Sequence, residues 1–444
     1  MNENYDQLSQ ELRIVSPLGD TFDWIGGFYF QSSETDFYDR IKVPSNSILP
    51  LANPALAPIA DTSAGRHYTL DSTMWSAFFQ GNFHFNDELT LTVGARYTDE
   101  KKDGHREINI RELAGSTISD GDIVDDPMAA ILYDVGFAIQ NEQSALSPQG
   151  HNLTDSRDES AFTPLVSLQY KLDEDVMTYV SATTGFKAGG FDARANNVDS
   201  WEFEEEEATS YEWGIKSALL DNTLEVNLAI YRTEYDNLQI SQFDGTLGFN
   251  VGNAKETVVQ GVEVDGRWLV MDADAGTLTM NYAVAYLDHE FKDFRNGNCY
   301  NRQEPDGDIG PGGVQLCDFT GKSGQYTPEF TGNLGLDYFK SISFLGFEYF
   351  RANLGLYHAS EQNVHPNLDP LYNIDSYTKV DARIALEAEN WSVAIFGRNL
   401  TDEKVLTYAG NAPLSGSSFG TNTFYGFVDR PATIGIQLQY DFID

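Results

Sequence analysis

The chain is poor in positive charge. Its 444 residues include 28 Lys and Arg against 68 Asp and Glu, which gives a formal net charge of -40. A protein this acidic is repelled by the phosphates of DNA and RNA, so nucleic-acid binding is not expected. Strong charge of one sign is also typical of disorder, but disordered chains have few apolar residues. Here 41% of residues are hydrophobic and 13% are aromatic, so the chain has enough apolar surface to fold.

Long apolar runs are also missing. No segment approaches the roughly 20 consecutive apolar residues that a membrane-spanning helix requires, which excludes a bundle of such helices. Residues 1–4 lack the basic and apolar stretches of a signal peptide, so none is expected in this chain.

Cysteine is scarce as well, because only Cys299 and Cys317 are present. Both lie in one polar segment rich in Gly and Asp. In an oxidising compartment such a pair can close a loop as a disulfide, whereas the alternative is two free thiols. We predict the disulfide.

Strict alternation is the dominant pattern that is present. Leu89, Leu91 and Val93 are apolar, and the residues between them are polar, which is the period of a strand with two different faces. The same pattern recurs in residues 224–230, 278–286, 380–386 and 434–442. Nothing comparable occurs at the helical period, so the sequence predicts an all-β fold.

The predicted connections between strands are alternately short and long. Short Asp/Asn/Gly turns fall at residues 17–20, 86–88, 173–175, 221–223, 272–276, 341–346 and 389–390. Longer polar segments are centred near residues 50, 130, 197, 245, 305, 367 and 415. This order is typical of an outer-membrane barrel with short periplasmic turns and long outer loops. A sandwich with Greek-key crossings has no reason to maintain it.

Aromatic residues lie at apolar-face positions near the predicted strand ends, as expected where strands cross the two membrane interfaces. They are Trp24, Phe28, Tyr97, Tyr170, Tyr286, Tyr338, Trp391, Tyr440 and Phe442. The alternation predicts about fifteen strands, whereas bacterial single-chain barrels normally have an even number. We therefore expect strands upstream, because an open sheet edge has no hydrogen-bond partner in lipid.

Several motifs follow one another along the chain in a fixed order. The segments that carry them are residues 8–13 and 24–29, the GFKAGGF segment 185–191, the acidic-to-YEWGIK segment 205–216, and residues 253–264, 399–404 and 430–433. Together they resemble the TonB-dependent receptor family over nearly the whole chain. One departure is a Glu where the family's barrel signature usually has Pro.

The resemblance implies a transmembrane antiparallel up-and-down β-barrel. Residues 1–444 would form the barrel domain with about 15 of the family's 22 strands, without signal peptide, TonB box or plug. It also implies a receptor in the outer membrane of a Gram-negative bacterium, in contact with lipid and lipopolysaccharide. Such receptors bind a scarce ligand, most often a ferric siderophore, and transport it when a TonB–ExbB–ExbD complex pulls on the plug. We expect that this polypeptide alone does not perform coupled uptake.

Catalytic and metal-binding patterns are not supported, and no cofactor is predicted. Residues 416–420 match G-x-S-x-G, but they lie in a Gly/Ser loop and not at a strand-to-helix turn. Residues 321–323 read Gly-Lys-Ser, yet Leu316 stands where a phosphate loop needs Gly. The seven His lack metal-ligand spacing. Acidic runs such as 204–207 are interpreted as solvated loops. An enzyme is therefore not expected.

Four aromatic residues of the long loops are candidate ligand contacts, although ordinary loop packing is the alternative. They are Tyr300, Tyr326, Tyr372 and Phe419. Two other functions stay open from the residues alone. One is a passive pore without a plug. The other is a soluble or surface-attached β-rich binding protein, whose apolar positions would face a shared interior.

Overall fold

The computed structural model describes residues 2–113, 120–146, 150–243, 248–310, 315–412, 420–421 and 423–442. Within these residues, fifteen long strands form one antiparallel sheet, and each pairs with the next along the chain. The strands are β1 Asn2–Val15, β2 Phe22–Val43, β3 Thr62–His84, β4 Leu89–Leu113, β5 Asn152–Lys171, β6 Val176–Lys187, β7 Glu206–Leu219, β8 Leu224–Phe243, β9 Phe249–Ala273, β10 Gly276–Asp293, β11 Phe330–Phe344, β12 Phe347–Ala359, β13 Tyr377–Glu387, β14 Trp391–Arg398 and β15 Thr433–Tyr440. The predicted all-β fold and strand number are confirmed.

Shorter strands and helices lie within the long connections between the main strands. The short strand Asp120–Ile123 pairs with the end of β4. Among the described residues, small hairpins pair Gly190–Phe191 with Glu202–Phe203, Gln362–Asn363 with Asn373–Ile374, and Leu406–Asn411 with Phe424–Val428. The helices are α1 Ile48–Ala52, α2 Pro127–Phe137 and the 3-10 turns Pro54–Ile59, Val198–Ser200 and Pro370–Tyr372.

Among the described residues, no helix combines the length and the apolar character needed to cross a membrane.

Cross-strand register collects the apolar side chains on one face of the sheet. Val93 lies opposite Val166, and Ile395 lies opposite Ile436. These four side chains are 42–72% exposed, in the middle of long strands. In the described strands the apolar face therefore does not close on a shared interior, as the soluble alternative requires. Large aliphatic groups exposed in continuous rows are expected where the medium is lipid.

The opposite face of the sheet is polar and is cross-linked by side-chain hydrogen bonds between neighbouring strands. The amide of Asn227 donates to Asp265 at 3.0 Å, and that of Asn281 donates to Asp337 at 3.0 Å. A face of this kind is expected to line a water-filled or plugged lumen.

The predicted short connections are confirmed, because the strand pairs are joined by residues 16–21, 85–88, 172–175, 220–223, 274–275, 345–346 and 388–390. Leu220, Asp221 and Asn222 adopt left-handed φ values of 54°, 55° and 63°. Asn and Asp tolerate this region better than other residues with side chains, so their occurrence there suits a tight turn.

One predicted long connection is wrong. The polar segment near residue 245 is mostly sheet, because β8 and β9 remain paired as far as Phe243 opposite Phe249. Beyond the membrane both faces of a sheet can be solvated, so polar residues there do not by themselves predict a loop.

The buried core lies at the outer ends of the strands. We define the outer cap as residues 44–61, 120–146 and 188–205 with the strand ends that flank them. Its main cluster includes Ile108 and Ile110 from β4 and Tyr133 and Phe137 from α2, all at most 1% exposed. Asp126 begins α2 by accepting the backbone N–H of Met128 at 2.9 Å, as a helix N-cap does.

Candidate ligand-binding site in the outer loops

The loop between β10 and β11 is held by the pair of cysteines. The structure joins Cys299 and Cys317 in a disulfide, with Cα atoms 5.1 Å apart and a sequence separation of 18 residues. Phe294 and Phe319 are buried beside it with ring centroids 5.4 Å apart. The loop therefore has its own small hydrophobic core, which holds its backbone in place.

The loop between β12 and β13 is built around a short 3-10 turn. Asp369 caps this turn by accepting the N–H of Leu371 at 3.0 Å. Burial raises the pKa of Asp369. The amide of Asn363 donates to the carbonyl of Asp369 at 2.8 Å, which ties the turn to the small hairpin beside it. The result is a rigid loop that faces the disulfide-linked loop.

His365 is buried inside the same loop, only 1% exposed. Its Nδ1 accepts the backbone N–H of Asn367 at 3.1 Å, and its ring stacks on Tyr372 with centroids 4.9 Å apart. Burial lowers its pKa to about 4, because desolvation disfavours the charged imidazolium. The imidazole is therefore neutral at pH 7.

A cavity of about 350 Å³ opens between these two loops. Its lining is rich in hydroxyl, amide and charged groups and includes Tyr300, Lys322, Ser323, Glu329, Glu361, Gln362 and Asn373. The arrangement offers many hydrogen-bond donors and acceptors at the outer surface, together with an aromatic ring. It is suited to hold part of an oxygen-rich ligand.

The structure brings three of the four candidate aromatic residues to this region. Tyr300 lines the cavity. Tyr326 is 44% exposed, and its backbone N–H donates to Asn363 while its hydroxyl donates to the carbonyl of Thr407, both at 2.9 Å. Tyr372 is only 2% exposed and packs on His365, as the loop-packing alternative expects. Phe419 lies outside the described residues.

Sequence reasoning missed an aromatic cluster on the hairpin between β14 and β15. Tyr408 lies 6.0 Å from Tyr425 and 6.3 Å from Phe427, measured between ring centroids. Phe424, from the same strand, makes an edge contact with Tyr372 at 6.3 Å. The segment 424–427 reads Phe-Tyr-Gly-Phe, and this density of aromatics in a polar loop was the available signal.

Other patterns singled out in the sequence have structural roles. Lys322 lies over the ring of Phe319 at 4.9 Å, and Ser323 donates to the carbonyl of His289 at 2.7 Å, so the Gly-Lys-Ser segment packs the loop. The G-x-S-x-G match at residues 416–420 lies almost entirely outside the described residues. Within the described residues, no three His, Cys, Asp or Glu side chains form a group that could hold a metal ion.

The acidic run at residues 204–207 is partly neutralised by Arg157, on the outer end of β5. The guanidinium of Arg157 lies 3.0 Å from Glu204 and 3.2 Å from Glu205. It also lies 2.6 Å from Glu159. These contacts fasten the connection 188–205 to the sheet.

Taken together, the fold and the loops define a class of protein. It is an outer-membrane β-barrel with tight turns at one end and, at the other, structured loops that enclose a cavity of ligand size. Residues 1–400 match the family model described as TonB dependent receptor-like, beta-barrel, and the chain belongs to that family. The family consists of transport receptors, not enzymes, in the outer membrane of Gram-negative bacteria.

Individual relatives agree in fold. The chain is 30% identical over 183 residues to the probable TonB-dependent siderophore receptor PiuA of Acinetobacter baumannii, covering 38% of the chain and 23% of that protein. The crystal structure of PiuA matches with a TM-score of 0.63 and 16% identity, over 98% of this chain and 56% of that one. The ferric yersiniabactin uptake receptor FyuA of Yersinia pestis matches with a TM-score of 0.68 and 15% identity, over 99% and 55%. The chain thus spans about half the length of these solved relatives.

Proposed function

We propose that the protein containing this chain is an outer-membrane receptor for the energy-coupled uptake of a ferric siderophore. Two linked observations support the proposal. The sheet has an apolar side that faces lipid and a polar inner side, and the loops at its outer end bring aromatic residues together around a cavity. The relatives supply the ligand class, because PiuA is named a siderophore receptor and FyuA takes up ferric yersiniabactin. A Pseudomonas putida relative, 26% identical over 233 residues, is named a ferric-pyoverdine receptor.

The roles of the loop residues follow from their exposure. Tyr300 lines the cavity and Tyr326 is 44% exposed beside it, so both are placed to contact an incoming chelate. The disulfide braces the loop that carries both tyrosines. The buried pair Tyr372 and His365 packs the facing loop, to which the backbone of Tyr326 is hydrogen-bonded through Asn363. In this proposal the energy is supplied by a TonB–ExbB–ExbD complex acting on a plug, as the family implies. The outer surface of the barrel contacts membrane lipid and lipopolysaccharide.

A passive pore is the second candidate, and one observation favours it. The inner face of the described sheet carries hydrogen bonds between polar side chains of neighbouring strands, such as Asn227 to Asp265, as expected for a water-filled lumen. Conductance in planar bilayers distinguishes the two, since an energy-coupled receptor is closed at rest and a pore is open.

The test is uptake of radioactive iron by a receptor-deficient strain that expresses the complete gene. A panel of ferric hydroxamate, catecholate and carboxylate chelates is supplied one at a time, with and without an uncoupler. Uptake of at least one chelate that the uncoupler abolishes supports the proposal. Tyr300→Ala and Tyr326→Ala should each weaken the apparent affinity for the transported chelate about three- to tenfold, the loss expected for one aromatic contact of about 1 kcal/mol. Tyr349→Ala, at the opposite end of the strands, is the matched control. Absence of uptake for every chelate would count against the siderophore class.

A further inference from the structure

A buried arginine and a buried histidine of the outer cap lack hydrogen-bond partners. Arg106 of β4 and His151, immediately before β5, are both 0% exposed. Within the described residues, Nε and Nη2 of Arg106 and both ring nitrogens of His151 have no hydrogen-bond partner. Buried polar groups are almost always paired, because leaving one unpaired forfeits its hydration without replacement. We call Arg106 and His151 the buried donor pair, and neither ligand uptake nor the apolar core of the cap explains it.

The register of β4 and β5 brings the buried donor pair together on one face of the sheet. Arg106 lies two residues before Ile108, and the N–H of Ile108 donates to the carbonyl of His151 at 3.0 Å, which continues the ladder by one pair. Arg106 and His151 are therefore diagonal neighbours, about 7–8 Å apart and within reach of each other's long side chains. One small ion between them can contact both.

The guanidinium of Arg106 has carbonyl partners but no carboxylate partner. Its Nη1 donates to the backbone carbonyls of Asp192 and Ala193, in the connection 188–205 that covers it. The carboxylate of Asp192 instead accepts the backbone N–H groups of Val251 at 2.7 Å and Arg194 at 2.8 Å. In the part of the chain that the structure describes, Arg106 therefore has no ion-pair partner. A buried cation of this kind is costly unless an anion accompanies it.

The neighbouring ion pair does not supply that anion. Asp39 accepts Nε of Arg66 at 2.6 Å, and Nη1 of Arg66 donates to Asn196 at 3.1 Å. Burial, together with the charge of Arg66, lowers the pKa of Arg106 to about 9, so the guanidinium is still charged at pH 7. Burial, together with the charges of Arg106 and Arg66, lowers the pKa of His151 to about 3, so the imidazole is neutral. The buried donor pair is therefore one cation beside one neutral ring.

Donors outnumber acceptors in the buried donor pair. Arg106 offers one unpaired N–H at Nε and two at Nη2, and the neutral ring of His151 offers one N–H and one acceptor nitrogen. A water molecule would accept from two of these donors, but its own two hydrogens would find one acceptor in the pair. A monatomic anion only accepts, and it supplies the negative charge that the guanidinium lacks. Its small size also suits a close-packed core.

We propose that the buried donor pair binds one chloride ion. The ion accepts N–H groups from Nε and Nη2 of Arg106 and from the ring of His151. Because Arg106 also donates to the carbonyls of Asp192 and Ala193, the ion holds the guanidinium in place beneath the connection 188–205. Chloride is thus a structural ligand that fastens this connection to the sheet. The site shares no residue with the lining of the loop cavity.

The experiment is hydrogen exchange of residues 188–205 in the complete protein, held in detergent. Sodium chloride is compared with sodium gluconate at equal pH and ionic strength, because gluconate is too large for a buried monatomic site. Exchange should be about tenfold slower in chloride, the protection expected when the ion is present at about ten times its Kd. Arg106→Gln should abolish this difference, and His151→Leu should reduce it about threefold. Arg111→Gln, on the same strand but on the opposite face, is the control and should leave the difference unchanged.

A second measurement uses the parental protein and so does not depend on the folding of a variant. Crystals grown in sodium bromide should show one anomalous peak within hydrogen-bond distance of both Arg106 and His151. A peak there without any effect of halide on exchange would be an adventitious ion only and would overturn the proposal. So would a scatterer without anomalous signal, which is water, equal exchange in the two salts, or a chloride effect that persists in Arg106→Gln. None of these readouts uses iron uptake, so this site and the transport function fail or succeed separately.

Discussion

The membrane-spanning part of the sheet and the outer cap use the same alternating strands in opposite ways. Within the apolar band, Val284 is 41% exposed and Ile395 is 58% exposed, and no second layer covers them in the described structure. In the outer cap, Ile108 and Ile110 of β4 are fully buried under α2. Ile108 and Ile110 lie on the opposite face of β4 from Val93, because the ladder to β3 has no register shift between them. The difference teaches that alternation reports two unlike faces, whereas the surroundings decide which face is apolar: the outer face against lipid, and the inner face beneath the loops.

The largest effect is expected when a buried side chain of the outer cap is truncated. Phe137→Ala should destabilise α2 and its surroundings by about 3–5 kcal/mol, the usual cost of truncating a buried Phe. Phe137 is 1% exposed and lies 5.7 Å from the ring of Tyr133. Hydrogen exchange of residues 127–137 measures the effect. Val135→Ala, on the exposed side of α2, is the control. Equal exchange in both variants would show that the cap has no core of its own.

The membrane-spanning part of the sheet is tested by placing a charge on its lipid-facing side. Val284→Arg should destabilise the barrel by about 2–4 kcal/mol, because Arg near the middle of the bilayer loses hydration. Asn281→Arg is the matched change on the polar face and should cost little, since the new cation lies close to Asp337. Urea unfolding in lipid vesicles compares the two. If the two substitutions cost the same, the assignment of the faces is wrong.

Removing the disulfide tests whether the loop between β10 and β11 can be destabilised without affecting the barrel. Cys299→Ser combined with Cys317→Ser should destabilise the loop by at most about 3 kcal/mol, the entropy expected for closing 18 residues. Protease cleavage between residues 299 and 317 should then become faster, while heat-modifiable mobility of the barrel stays the same. A parental protein whose thiols react with maleimide without reduction would contradict the disulfide.

The smallest expected effect is a pH dependence confined to the loop 360–376. The pKa of His365 is lowered to about 4 from an ordinary value near 6.5. The unfolded loop therefore gains a proton below pH 6.5 that the folded loop does not take up. Stability is fully present above pH 6.5, falls by about 2 kcal/mol between pH 7 and pH 5, and levels off only below pH 4. Hydrogen exchange of the loop at pH 7 and pH 5 measures the change, and His365→Asn should be insensitive to pH. A loop more stable at pH 5 than at pH 7 would reverse the sign.

Much of the barrel could be predicted from the sequence because each strand carries its own evidence. Alternation in segments such as 89–97 and turn residues such as 221–223 act locally, so strand number and the short turns were predicted correctly. The long ladder of β8 and β9 was not, because polar strands above the membrane look like loops. The buried cap was missed because the apolar side chains change face along β4: Val93 lies on the lipid-facing side, whereas Ile108 and Ile110 lie on the opposite side.

The candidate site was predictable only in part. The aromatic side chains of the loops and the proximity of Cys299 and Cys317 were visible in the sequence. The burial of Tyr372 was not, because it depends on His365 and Phe424, which reach it from a tight turn and from a separate hairpin. Irregular segments have no repeating hydrophobic pattern, so tertiary contacts alone decide which of their side chains are buried and which are exposed.

The length of the strands has a consequence outside transport. β4 has 25 residues, which corresponds to about 80 Å of extended chain and, at the tilt of a barrel strand, a rise of about 60 Å. An apolar band of about 25 Å takes up less than half of that rise. The outer end of β4, braced by the outer cap, therefore stands well above the apolar band, where large molecules outside the cell can reach it.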